Sequence, residues 1–198
     1  MKIIGLDAGS VSVKGVVLNA SGEVLQRHYR KHKGHPLPIA VEILRAAAGT
    51  GDCAIAVTGS AGKLIAAILG IEPLNEIVAQ AFATKRIHPH IRNIIEMGGE
   101  DSKLILLDDE GIQDFSMNSV CAAGTGSFLD QQAERLRLSI EEFSELSLNS
   151  KKPSHIAGRC SVFAKSDMIH LQQIATPMEE VVAGLCFAVA RNFRGFPL

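Results

Sequence analysis

Two short turns carry the residue types that bind phosphate. Asp7-Ala8-Gly9-Ser10 follows an apolar run, with Ser12 and Lys14 just beyond it. Glycine lets a backbone approach an anion closely, serine donates a hydrogen bond, and aspartate can hold a metal-bound water. Taken alone, such a turn is more often a hairpin with a solvated acid. The chain, however, contains a second copy, Glu96-Met97-Gly98-Gly99-Glu100-Asp101-Ser102-Lys103. An offset of 89 lays Asp7 on Glu96, Gly9 on Gly98, Ser10 on Gly99, Ser12 on Asp101, Lys14 on Lys103, Leu18 on Leu107 and Gly22 on Gly111, with no gap over 16 positions. A duplicated strand-turn-strand unit predicts two lobes, each offering a loop of backbone N–H groups to one shared anion.

Four cysteines form the other chemical set. Cys53 lies in a strand pattern and Cys186 among apolar helical residues, so both are expected to be buried core thiols. Cys121 and Cys160 each stand at the start of a predicted helix, where N–H groups and the macrodipole favour a thiolate. Gly124, Gly126 and Gly158 beside them would let something bulky approach the backbone, the bland alternative being a pair of structural thiols. Gly124-Thr125-Gly126 has a competing use as a phosphate-facing turn at a helix N-terminus. His155 and His170 lack Cys or carboxylate companions at ligand spacing and are read as surface or core residues. Arg159 reads as a surface side chain, and the basic stretch 27–35 as a solvated face or a docking patch.

The elements that must position these residues follow from the apolar pattern. Residues 2–6 and 13–18 read as strands of a β-meander, and residues 93–96, 103–107 and 112–115 repeat it. Between the copies, a strand at 53–57 runs through Thr58-Gly59-Ser60 into a helix at 61–69 that Gly70 stops, and a second helix at 73–86 leads to the other lobe. Helices are expected at 126–138, 161–175 and 177–192, with a loop at 147–153. The lobes are predicted as 1–87 and 88–198.

Composition narrows the class. The 198 residues are 46% hydrophobic and 21% charged, an ordinary globular balance with enough apolar mass for a core. Twenty Lys+Arg against 21 Asp+Glu give a net charge of -1, so no overall field draws the chain to nucleic acid or an anionic membrane. The longest uncharged apolar stretch, 181–190, is about half of the roughly 20 residues that span a bilayer. Asp7 interrupts the opening apolar run where a signal peptide would continue, so a cytoplasmic location is expected. Four cysteines are too sparse for a disulfide framework.

The paired turns, the Thr58-Gly59 strand end and the order of elements resemble the two-lobed ATPase fold shared by actin, Hsp70 chaperones and sugar kinases. This implies an α/β fold of duplicated ribonuclease-H-like lobes. More specifically, Cys121-Ala122-Ala123-Gly124-Thr125-Gly126-Ser127-Phe128-Leu129 and Gly158-Arg159-Cys160-Ser161-Val162-Phe163-Ala164-Lys165-Ser166-Asp167 are similar to signatures of the ATP-dependent activators of 2-hydroxyacyl-CoA dehydratases and benzoyl-CoA reductases. The resemblance implies a homodimer with Cys121 and Cys160 of both subunits holding one bridging 4Fe-4S cluster, since a cubane usually takes four thiolates. It further implies that Asp7, Ala8, Gly9, Ser10, Ser12 and Lys14, with Gly98, Gly99, Glu100, Asp101, Lys103, Gly124 and Thr125, surround Mg2+ and ATP. Asp7 belongs to the catalytic set, and Asp101 or Glu100 orients the attacking water, a choice left open.

On this reading the protein is an ATP-dependent one-electron donor. A ferredoxin or flavodoxin reduces it, nucleotide moves the lobes, and an acyl-CoA dehydratase or reductase receives the electron. For a one-electron couple about 60 mV corresponds to about 1.4 kcal/mol, so a nucleotide-driven shift of about 4 kcal/mol could lower a potential by about 180 mV. Two other readings stand beside it. A small-molecule kinase of the same fold would use an Asp base and no cluster, and Cys121 and Cys160 argue against it. A nonenzymatic nucleotide-dependent interaction module is the other, because the fold ordinarily continues into a Gly-Gly turn that holds adenosine whereas this chain stops at Gly195-Phe196-Pro197-Leu198. The second lobe is accordingly expected to be incomplete.

Overall fold

The computed structural model describes residues 1–49, 52–118 and 122–193. Cys121 therefore lies outside the described residues. The chain divides into two compact units, Met1–Arg92 with Leu107–Gln113, and Asn93–Leu106 with Asp114–Leu198.

The first unit is built on a four-stranded sheet of β1 (Lys2–Ala8), β2 (Ser12–Leu18), β3 (Val24–Lys31) and β4 (Cys53–Thr58), in the order β3-β2-β1-β4. β1 and β2 form the expected antiparallel hairpin, and β4 returns parallel to β1, with Thr58 opposite Asp7. The crossover is α1 (Pro36–Ala48), which the apolar pattern had not marked although Pro36 opens its first turn, where a missing N–H costs nothing. Ala40 and Ile43 of α1 join Leu6, Ala8, Val13, Val57, Ile65 and Ala66 in one core cluster. Gly15 permits that approach, because a Cβ there would lie 2.5 Å from Ile43 Cγ2. Two further helices follow, α2 (Gly62–Leu69), closed by left-handed Gly70, and α3 (Glu76–Ile87). α3 begins three residues later than the spacing predicted, because Asn75 caps it by accepting from Ile77 N and Val78 N.

The second meander comprises β5 (Asn93–Met97), β6 (Ser102–Leu107) and β7 (Ile112–Asn118), in the order β5-β6-β7. A 3-10 turn (Ala122–Gly124) then leads to α4 (Gly126–Arg135), α5 (Ile140–Asn149), α6 (Ser161–Gln173) and α7 (Met178–Phe193). Where one helix was expected at 126–138 the chain breaks, with Arg137 in the left-handed region at φ 58, and Ser139 starts α5 through a capping box with Glu142. The expected loop at 147–153 is corrected accordingly, since α5 continues through Asn149. The core of this unit gathers Phe128, Phe143, Ile156, Met168, Val181, Leu185 and Val189 around α7. Burying a phenylalanine such as Phe128 or Phe143 contributes about 2–3 kcal/mol relative to leaving it exposed. No helix among the described residues is long and apolar enough to cross a membrane.

Candidate functional site

Each meander places an acid on its first strand directly opposite a lysine on its second. Asp7 pairs with Lys14 in the β1–β2 register and Glu96 with Lys103 in the β5–β6 register, the same pair at the same offset. The side chains meet: Lys14 Nζ lies 3.0 Å from Asp7 Oδ2, and Lys103 Nζ lies 2.9 Å from both Glu96 Oε2 and Asp101 Oδ1. Their surroundings differ. The Lys14 side chain is 42% exposed, whereas that of Lys103 is 2% exposed and clamped between its two carboxylates.

The turns themselves close identically. Gly9 N donates to Ser12 O at 3.0 Å and Gly98 N to Asp101 O at 2.9 Å. The N–H groups of Gly9 and Gly98 are thus used within the turns. Those of Ser10 and Val11, and of Gly99 and Glu100, donate to no acceptor among the described residues. Each turn tip thus carries two consecutive N–H groups without an acceptor among the described residues, next to a lysine paired with a strand acid. Ser12 is buried at the start of β2 and stands behind the turn. Glu100 is exposed at the second tip.

Helix starts buttress both turns. Ala61 N donates to Ala8 O at 2.8 Å ahead of α2, and Gly126 N and Ser127 N donate to Gly98 O and Gly99 O at 2.8 and 3.1 Å at the start of α4. Gly59, at φ +96, makes the first arrangement possible, because a Cβ there would collide with Ala8 O and lie 2.5 Å from Asp7 Oδ1. Thr125 is fully buried as the residue capping α4. The Gly124-Thr125-Gly126 segment therefore braces the Gly98-Gly99 turn, and the N–H groups expected to face a phosphate are taken by that turn's own carbonyls.

Cys160 stands at the N-terminus of α6 as the sequence predicts, its half-buried thiol making no capping hydrogen bond. The loop leading to it is pinned from several sides: Ser154 N donates to Glu180 O, Asp167 Oδ2 accepts from Ala157 N at 2.8 Å, and Arg191 donates to Ile156 O. A Cβ on Gly158 would lie 2.8 Å from Ala188 O. The open space expected beside Cys160 at Gly158 is thus filled by α7. Gly124 likewise faces Asn118 and Asn192. Val162 and Phe163, in the first turn of α6, are each 65% exposed. Cys53 and Cys186 are half-buried rather than buried, and burial still raises the Cys186 thiol pKa, a nearby Ser147 hydrogen bond opposing it. Among the described residues no three or more His, Cys, Asp or Glu side chains gather as a metal site. Sequence reasoning had missed Asp167, Arg191 and His32 as supporting groups, since only their long-range partners reveal them.

Residues 4–196 match the model of the BadF/BadG/BcrA/BcrD ATPase family. The chain belongs to this family. Within it, the chain is 34% identical over 200 residues to the 2-hydroxyisocaproyl-CoA dehydratase activator of Clostridioides difficile, covering 97% of this chain and 74% of the relative. The structure matches that of the activator of the 2-hydroxyisocaproyl-CoA dehydratase from Clostridium difficile with bound ADPNP at a TM-score of 0.86 and 30% identity, over 98% of this chain and 74% of the other. A putative 2-dehydro-3-deoxygalactonokinase from Sinorhizobium meliloti shares the fold at a TM-score of 0.52 and 13% identity, over 98% of this chain and 80% of that one. The fold is thus the α/β ATPase fold expected, common to activators and a sugar-acid kinase.

Proposed function

We propose that the protein is an ATP-dependent one-electron donor that activates an acyl-CoA dehydratase or reductase. The observation that carries the nucleotide half is the repeated turn: open N–H groups at Ser10 and Val11, and at Gly99 and Glu100, each next to a lysine paired with a strand acid. Each turn by itself suits a phosphate group of Mg-ATP, whose hydrolysis supplies the driving force when it is bound. Lys14 is placed to exchange its Asp7 partner for a phosphate oxygen. Asp7 would then be the carboxylate on hand to help hold Mg2+. Asp101 is committed to Lys103, so Glu100 is the carboxylate available to orient a water. Gly59 and the α2 and α4 starts keep the turns in shape, so the N–H groups need no rearrangement to receive charge.

Cys160 fits the role of cluster ligand. Its thiol sits at a helix N-terminus on a loop fixed by α6 and α7, beside two exposed apolar side chains, Val162 and Phe163, that suit cover by a second copy. Four thiolates need Cys121 and Cys160 from each of two chains, making the protein a homodimer around one cluster. A 4Fe-4S cluster so held supplies storage for one electron when bound, received from a ferredoxin or flavodoxin. The dimer-bridging thiols separate this reading from a kinase, which has no use for them.

The nucleotide half is tested with Lys14→Met. Loss of a charge-assisted hydrogen bond of about 1.5–3 kcal/mol predicts an ATP affinity weaker by about tenfold to a hundredfold, measured by calorimetry with Mg2+ present. Unchanged affinity in a folded variant contradicts the assignment.

A further inference from the structure

His32 stands out in the basic stretch 27–35 because it is only 7% exposed while Lys31, Lys33, Gly34 and His35 around it are exposed. Every polar group it has is engaged. Its backbone N donates to Val11 O at 3.1 Å and its carbonyl accepts from His35 N at 2.8 Å. In the ring, Nδ1 accepts from Gly34 N at 3.1 Å, and Nε2 lies 3.1 Å from Gly9 O. A backbone N–H can only donate and a carbonyl can only accept, so the ring is the Nε2–H tautomer, with Nε2 donating to Gly9 O. The turn that fixes it is itself unusual: Lys33 and Gly34 both have positive φ, 47° and 86°. Holding a lysine in the left-handed region costs about 1 kcal/mol, and such conformations persist where the surroundings over-determine them.

The consequence lies on the far side of the peptide. In a trans peptide the N–H points opposite to the carbonyl, so fixing Gly9 C=O against His32 fixes Ser10 N–H in the opposite direction. Ser10 N–H is one of the two open donors of the first turn. We infer that His32 is a positioning residue for nucleotide binding: its Nε2–H holds the Gly9 carbonyl so that the Ser10 N–H faces the phosphate. This rests on the reading of the turn as a phosphate site. The second copy has no such histidine, since the offset of 89 sets Cys121 where the first repeat has His32.

The test compares side chains that keep one bond or the other. His32→Asn retains an acceptor for Gly34 N but is too short for Gly9 O, His32→Gln can donate to Gly9 O, and His32→Ala does neither. Titrating the full chain with Mg-ADPNP, we expect Asn and Ala to weaken binding about tenfold, as for one lost buried hydrogen bond, and Gln to stay within about threefold of wild type. Folded Asn and Gln variants that both bind as wild type overturn the positioning role alone. A folded wild type with no affinity for Mg-ADPNP overturns the phosphate reading, and this inference with it. If the variants do not fold, the wild-type His32 Nε2–H proton decides by NMR: a shift on adding Mg-ADPNP supports the role, and no shift contradicts it.

Discussion

The two ion pairs of the repeat are alike in register and unlike in cost. Lys14 and Asp7 are both well solvated, so their pairing contributes little to stability, at most about 1 kcal/mol, and both stay available for chemistry. Lys103, by contrast, is 2% exposed, and its removal strands Glu96 and Asp101 against one another. Lys103→Met is therefore expected to destabilise the protein by roughly 2–4 kcal/mol, discounted from a fully buried pair because the carboxylates keep some water. Denaturant unfolding should show that loss for Lys103→Met and almost none for Lys14→Met. Equal stability of the two variants would mean that burial does not divide their roles. The sequence showed both lysines as equivalent, because spacing carries register but not burial.

Among the elements, those with a strong local signal were readable and those that depend on distant partners were not. The meanders emerged from apolar runs and turn residues, and their duplication from a single offset. α5 went unmarked although Ser139 and Glu142 spell a capping box, since its apolar face is short and only Phe143 is fully buried. That box supplies a prediction. Hydrogen bonds from Ser139, its backbone first and its side chain second, lower the Glu142 pKa below the ordinary carboxylate range. A depressed carboxylate stabilises the fold above its unfolded pKa and loses that contribution as pH falls through the folded one. Ser139→Ala should cost about 1 kcal/mol at neutral pH and a smaller amount in acid, read as urea midpoints at both. A cost that grows on acidification would contradict the capping account. The helix starts at 61 and 126 were legible, but the contacts by which they buttress the turns were not: Gly126 N to Gly98 O joins residues far apart in the chain, which no periodicity reports.

For the whole molecule, a net charge of -1 supplies no overall field toward a polyanion, and no helix among the described residues is long and apolar enough to cross a membrane, while the proposed assembly rests on the motif around Cys160. Phe163 and Val162 lie exposed beside that thiol, so a charge placed there should block association without disturbing the core of α4 to α7. Sedimentation and circular dichroism are expected to find Phe163→Glu a folded monomer and wild type a dimer. A dimeric Phe163→Glu would place the interface elsewhere. The chain spans about three-quarters of the activators it matches.

The most direct measurement is iron and acid-labile sulfide per chain after strictly anaerobic purification, with the visible spectrum before and after dithionite, for wild type and Cys160→Ala. The account predicts about two irons and two sulfides per chain, bleached on reduction, and a folded but colourless variant. An iron-free wild type after anaerobic reconstitution, or a Cys160→Ala variant that keeps its iron, would contradict it.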